Sequence, residues 1–163
     1  MSKIVDIARK YIGYPSILYE SPDVGKSVSG FDCSGFVQFI LLESGLSIPQ
    51  VPGTTRQIRH SEEFMDFFGV LVHPEMREPG DLVFFSRNGV RPTHIGIYSS
   101  EDMMIHTGGN NKLVEEINLS DYVKSRTIKF DYSKGHKQIY VTNPIAYKRP
   151  TVQTSKNRYQ QLI

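Results

Sequence analysis

Apolar residues recur at helical spacing near the start of the chain. Ile4, Ile7, Ala8, Tyr11 and Ile12 share one face, and Ser2 is placed to cap the first turn. This pattern predicts a helix over residues 3–12, ended by Gly13 and Pro15. Residues 15–31 lose the periodicity and are rich in Ser, Pro, Gly and Asp, which reads as a long loop. Loops of this length inside a compact domain are more often functional than idle. From 33 to 44 the apolar residues Phe36, Val37, Phe39, Ile40, Leu41 and Leu42 run almost all round a helix, so this helix should be buried. Asp32 and Gly45 are its expected N- and C-terminal caps. A further helix is expected over 54–67, starting near Thr54 or Thr55.

The second half changes period. Pro79-Gly80 marks a turn before Asp81–Phe85, whose composition is that of a strand. His94–Tyr98 and Asp102–Thr107 follow as strands, with further strands expected at Thr127–Phe130 and at Lys137–Tyr147, the latter interrupted by Asn143-Pro144. Helices first and strands last predict an α+β domain with an antiparallel sheet.

Composition narrows the function classes. The 163 residues suit one domain, with 39% hydrophobic and 22% charged residues, a globular balance. The longest apolar stretch, Phe36 to Leu42, is far too short to span a bilayer and is broken by Gln38. A net charge of +2 gives no argument for nucleic acid, and the expected state is a monomer. The charge is uneven, however. From Lys148 to Ile163 there are four basic residues (Lys148, Arg149, Lys156, Arg158) and no acidic one. The expected division is one folded domain over 1–149 and a basic, flexible tail over 150–163. The first ten residues carry Lys3, Asp6, Arg9 and Lys10 where an export leader would hold an apolar run.

Cys33 is the only cysteine, so no internal disulfide forms and no cysteine-cluster zinc site is available. It falls in the first turn of the buried helix, where unpaired N–H groups and the helix dipole favour negative charge. A thiolate there should have a lowered pKa. From position alone, Cys33 is either a reactive thiol or a small buried filler. A thiol nucleophile needs a base, and His94 and His106 are the informative histidines. If their strands form a hairpin centred on Ser100, His94 lies opposite His106 and Tyr98 opposite Asp102, so the imidazoles share one face. A two-residue loop would put them on opposite faces. The apolar pattern favours the first register, because it sets Ile95 and Ile97 on the same side as Met103 and Ile105. Gly96 leaves room there for a close approach, such as the end of a helix. Nucleophile, base and orienting residue together follow the general logic of a catalytic triad. His60, His73 and His136 have no metal-ligand spacing and read as surface or loop residues; no metal or other cofactor is expected.

Five segments, in order, carry a family resemblance. Phe31-Asp-Cys-Ser-Gly-Phe-Val-Gln38 resembles the nucleophile motif of the NlpC-type peptidases, papain-like cysteine hydrolases of bacterial cell walls. Thr54-Thr-Arg-Gln57, Pro79-Gly-Asp-Leu-Val-Phe-Phe85, His94-Ile-Gly-Ile-Tyr98 and Met104-Ile-His-Thr107 are similar to the segments that follow in that family. The resemblance covers about residues 3–149 and implies a papain-like α+β fold. It implies Cys33 as nucleophile, His94 as general base and then acid, and His106 as the residue that orients His94. It implies hydrolysis of an amide in the peptide stem of peptidoglycan, between γ-D-glutamate and a diamino acid, by an exported protein. The alternative is the same apparatus turned to another acyl bond, as in a deamidase, isopeptidase or acyltransferase; a binding module that kept the fold would have no need of all three polar residues. Asp32 and Ser34 match family positions expected to meet the substrate's amino end, although either could instead cap the helix. Members of the family carry a Tyr and then a Gly-Gly pair before the cysteine. Here Tyr19, or else Tyr14, stands in for the Tyr, and Glu20-Ser21 replaces the glycines.

Overall fold

The computed structural model describes residues 2–87, 89–108, 112–126 and 143–151. Helix α1 spans Lys3–Arg9, and the Ser2 side chain accepts the Val5 N–H. Helix α2 spans Cys33–Glu43, with Asp32 as its N-cap. Its end is a Schellman motif: the Leu46 N–H reaches the Leu41 carbonyl and the Gly45 N–H the Leu42 carbonyl, with Gly45 at φ +83. Helix α3 is shorter than the sequence pattern predicts, Ser61–Phe67. Residues 54–60 are irregular because Glu63 caps the helix at its true start, accepting the N–H groups of Arg59 and His60.

Nine strands form one sheet: β1 (Pro15–Ser16), β2 (Lys26–Ser27), β3 (Gly30–Phe31), β4 (Val70–Val72), β5 (Leu82–Ser86), β6 (His94–Ser100), β7 (Met103–Thr107), β8 (Lys112–Asn118) and β9 (Asn143–Arg149). Their spatial order is β2-β3-β1-β8-β7-β6-β5-β9-β4. The pairing is antiparallel except between β1 and β3, which run parallel. The sheet is therefore mixed, and the long 15–31 loop contributes three of its strands. Pro144 is tolerated where β9 bulges against Phe84 and Phe85.

Strand alternation gives the sheet two buried faces. Leu82, Phe84, Ile95, Ile97, Ile105 and Val114 pack beneath α1, α2 and α3. The alternate residues, among them Val83, Phe85, Tyr98 and Met104, pack with Leu119 and Tyr122 of α4 (Leu119–Arg126). Sequence periodicity misses both β8 and α4. Strand β8 carries Glu115 and Glu116 side by side, and α4 buries little more than Leu119 and Tyr122, so neither presents a clean apolar stripe. Lys148 and Arg149, which sequence charge places at the root of the basic tail, belong to β9. Lys148 is buried and donates to the Met65 carbonyl, while Arg149 pairs with the buried carboxylate of Asp81. The rest of that tail beyond Thr151, the strand expected at Thr127–Phe130, the first part of the Lys137–Tyr147 strand and His136 all lie outside the described residues.

Candidate active site

The site is built where α2 begins. Asp32 turns the chain into the helix, and its Oδ1 accepts the Gly35 N–H at 2.8 Å. The approach is close enough to require two glycines. A side chain at Gly35 would run into the Gly25 carbonyl, and one at Gly25, itself at φ +89, into the Asp32 carboxylate. The 15–31 loop is thus clamped against α2, and the Asp32 N–H donates to the Gly25 carbonyl at 2.8 Å.

A buried arginine completes this clamp. Arg59 is 1% exposed. Its Nη1 donates to Asp32 Oδ1 and Ser34 Oγ, its Nη2 to Asp32 Oδ2 and the Val24 carbonyl, and its Nε to the Pro22 carbonyl. All five guanidinium donors are satisfied, which is what allows a charge to sit there. Tyr19, half exposed, covers the guanidinium with its ring centroid 5.4 Å from Cζ and lies against the His60 ring. Asp32, Ser34 and Tyr19, expected to meet the substrate, all converge on Arg59. Sequence reasoning misses this arginine, which sits in a segment expected to be helix. The available signal was that a buried Asp32 demands a counter-charge.

Cys33 sits at the other side of this turn. The β6–β7 pairing ends at Ile97–Ile105, and beyond that end the backbone N–H groups of Ile95 and Ser34 lie near enough to Cys33 to favour its thiolate. Ile95 is the next residue along the strand from His94. Its pKa differs from the sequence expectation. Burial, reinforced by the adjacent Asp32 charge, pushes the Cys33 thiol from 9.0 up to about 11, against the pull of the two N–H groups and of Arg59. The N–H groups of the helix's first turn do not offset this rise in the half-buried Cys33.

The two histidines do share a face. His94 Nε2 and His106 Nδ1 are hydrogen-bonded at 2.7 Å. The register that achieves this is not centred on Ser100. The turn is the two-residue one, Glu101-Asp102, with Asp102 at φ 53 and Ser100 opposite Met103. A bulge between Tyr98 and Ser100 then restores the parity, setting Tyr98 opposite Met104 and Ile97 opposite Ile105. His106 consequently comes beside Gly96 rather than His94. The Cβ position of Gly96 would lie 3.3 Å from His106 Cβ and 3.1 Å from Met104 Sδ, so its missing side chain makes room for β7 rather than for a helix.

Two residues that the sequence pattern does not reveal complete the surroundings of the imidazoles. Tyr122 of α4 stacks on His94 with a centroid separation of 5.7 Å and meets the His106 ring edge-on at 5.1 Å. Glu115 of β8 lies opposite His106 in the ladder, and its Oε1 is 2.8 Å from His106 Nε2. Of the other histidines, His60 precedes α3, and His73 accepts the Glu75 N–H.

A thiol on the first turn of a helix, set against an antiparallel sheet that supplies a hydrogen-bonded pair of histidines, defines a papain-like cysteine hydrolase. Comparison with known proteins gives the same class. Residues 24–132 match the NlpC/P60 family, and the chain belongs to that family of cysteine peptidases. It is 32% identical over 127 residues to a gamma-DL-glutamyl hydrolase of Bacillus subtilis, covering 76% of this chain and 27% of that protein. It is 31% identical over 119 residues to a gamma-D-glutamyl-L-lysine dipeptidyl-peptidase of Bacillus cereus, covering 72% of this chain and 31% of that one. The chain thus spans less than a third of the length of either relative. Among solved structures, an NlpC/P60 family protein from Bacillus cereus superposes with a TM-score of 0.62 at 26% identity, over 90% of this chain and 39% of that one. No described helix is long and apolar enough to cross a membrane.

Proposed function

We propose that this domain hydrolyses an amide in the peptide stem of peptidoglycan, at the bond from γ-D-glutamate to the diamino acid, through Cys33, His94 and His106. The observation that carries the reading is the hydrogen-bonded pair His94–His106, set on the strand whose Ile95 N–H acts on Cys33. The names of the Bacillus relatives, both acting on glutamyl bonds, support the choice of substrate.

The chemistry follows from the positions. His94 Nε2 is engaged with His106, so the nitrogen that serves the thiol is Nδ1. A thiol held near 11 is protonated at neutral pH, and attack requires His94 to take its proton as the sulfur bonds to the carbonyl carbon. The N–H groups that open α2 stabilise the oxyanion; that of Gly35 is already committed to Asp32. His94 then gives its proton to the leaving amine. Water, activated by the same imidazole, releases the acyl group and restores the thiol. In this scheme Asp32 and Ser34, buried against Arg59, shape the groove. Tyr19, the exposed member of that cluster, is where the stem peptide meets it. Such a substrate places the action at the cell wall or on fragments of it.

The test is digestion of purified disaccharide-peptide wall fragments, read by mass spectrometry. The expected result is release of a piece beginning at the diamino acid. Intact fragments after prolonged incubation with a protein whose Cys33 still alkylates would overturn the assignment of the wall peptide as substrate.

A further inference from the structure

The reading above leaves open what makes His94 accept a proton at the nitrogen that faces the thiol. An imidazole pair sharing one hydrogen bond can be arranged in two ways. In one, His94 Nε2–H donates to a bare His106 Nδ1, and a neutral His94 keeps its lone pair on Nδ1. In the other, His106 Nδ1–H donates to His94 Nε2, so Nδ1 of His94 already carries its proton and has no lone pair with which to take one from Cys33. Nothing within the pair chooses between them.

We infer that Glu115 makes this choice and is a fourth, positioning member of the site. An ionised carboxylate can only accept. With Glu115 Oε1 2.8 Å from His106 Nε2, the proton of a neutral His106 must lie on Nε2, its Nδ1 must be bare, and the 2.7 Å contact must carry the His94 Nε2–H. One carboxylate at the end of the chain thereby fixes two tautomers and leaves the lone pair of His94 on Nδ1. The backbone builds this in: His106 and Glu115 are directly opposed across β7 and β8, so their side chains share a face by register. Tyr122, stacked on His94 and edge-on to His106, holds both ring planes in the orientation the chain needs.

Glu115 has a second effect, on charge. Once His94 holds the thiol proton, the positive charge is spread along an imidazole pair that ends in a carboxylate, which favours the thiolate–imidazolium state over the neutral one. The titratable groups set against the two rings are Tyr122 from α4 and Glu115 from β8, with Cys33 of α2 next to Ile95, the neighbour of His94 in β6; Phe85 from β5 is neutral. Asp32 and Arg59, beyond Cys33, are paired with each other. The Glu115 side chain is 43% exposed, against 1% for His106, so replacing it leaves the core intact.

This inference rests on the Cys33–His94–His106 reading, and two measurements keep the two apart. Long-range ¹H–¹⁵N spectra of the histidine rings report tautomers without any substrate. In the wild type His106 is expected as the Nε2–H form. Glu115→Ala should give a mixture of tautomers at His106, whereas Glu115→Gln, still able to accept through Oε1, should keep the Nε2–H form. Alkylation of Cys33 by iodoacetamide at neutral pH reads the thiolate–imidazolium population. Both variants lose the charge and should alkylate about tenfold more slowly, corresponding to a one-unit drop in imidazole basicity. Wild-type tautomers together with a wild-type alkylation rate in Glu115→Ala would overturn the proposal. If His94→Ala alkylates as fast as the wild type, it is the Cys33–His94 reading that fails, and the His106 tautomer still decides the role of Glu115.

Discussion

Removing the His94 imidazole should silence Cys33 rather than merely slow turnover. The half-buried Cys33 lies beside Asp32, and burial of its thiol pushes it from 9.0 up to about 11 against the pull of the Ile95 and Ser34 N–H groups and of Arg59. In His94→Ala there is no base to take its proton, so the thiolate forms only as the solution pH approaches that value. At pH 7 a thiol with a pKa of about 11 is ionised to about one part in 10⁴, against about one part in 10² at 9.0. The variant should therefore alkylate with iodoacetamide about 100-fold more slowly than an ordinary thiol of equal access, and its pH profile should have a midpoint near 11. The wild type should react faster at neutral pH, because there His94 takes the proton as the sulfur attacks. Intact-mass spectrometry at a series of pH values gives the rates, and circular dichroism at each pH separates ionisation from alkaline unfolding. A midpoint at or below 9.0 in His94→Ala would refute the reasoning. It would mean that the helix N-terminus activates the thiol unaided.

Two further outcomes test the scaffold. Arg59→Met should destabilise the domain by about 3–5 kcal/mol in urea denaturation, because it leaves the buried Asp32 carboxylate without its counter-charge; a loss under about 1 kcal/mol would show that the pair is not what holds the 15–31 loop. Glu63 is held at about 2, below its ordinary 4.5, first by its hydrogen bonds to Arg56. The folded pKa is depressed, so this stabilisation is complete above about 4.5 and is lost as pH falls through about 2. Because Arg56 is partly exposed, the contribution is only about 1 kcal/mol after screening, and Glu63→Gln should flatten the acid arm of the stability curve by that amount.

The parts of this molecule that were legible in the sequence are those where one residue's local chemistry decides the structure. Asp32, Cys33 and Gly45 mark the ends of α2 by capping rules that need no tertiary information. The alternation of Ile95 and Ile97 against His94 and Gly96 fixes the face of β6, and parity against Met103 and Ile105 puts His106 on that same face. The register itself was legible only in its parity. A two-residue turn corrected by a bulge and a wider loop both bring the imidazoles together, and nothing in Ser99-Ser-Glu-Asp102 separates them. What stayed hidden depends on long-range partners. Arg59 becomes a core residue only because the loop carbonyls of Pro22 and Val24 and the Asp32 carboxylate surround it. Strand β8 reads as polar because Glu115 and Glu116 both have work to do, one on His106 and the other on Arg9. The same holds for the thiol: helix position predicts a lowered pKa, and burial reverses the sign.

The account stands on Cys33 as the nucleophile of an amide hydrolase. The most direct measurement is the rate at which purified wild type and Cys33→Ala release the diamino-acid-bearing product from one defined disaccharide-peptide, with the fold of both checked by circular dichroism. Loss of release to the background of fragment alone in Cys33→Ala, with the wild type active, is the predicted result. Release by Cys33→Ala at a rate comparable to the wild type would contradict the account.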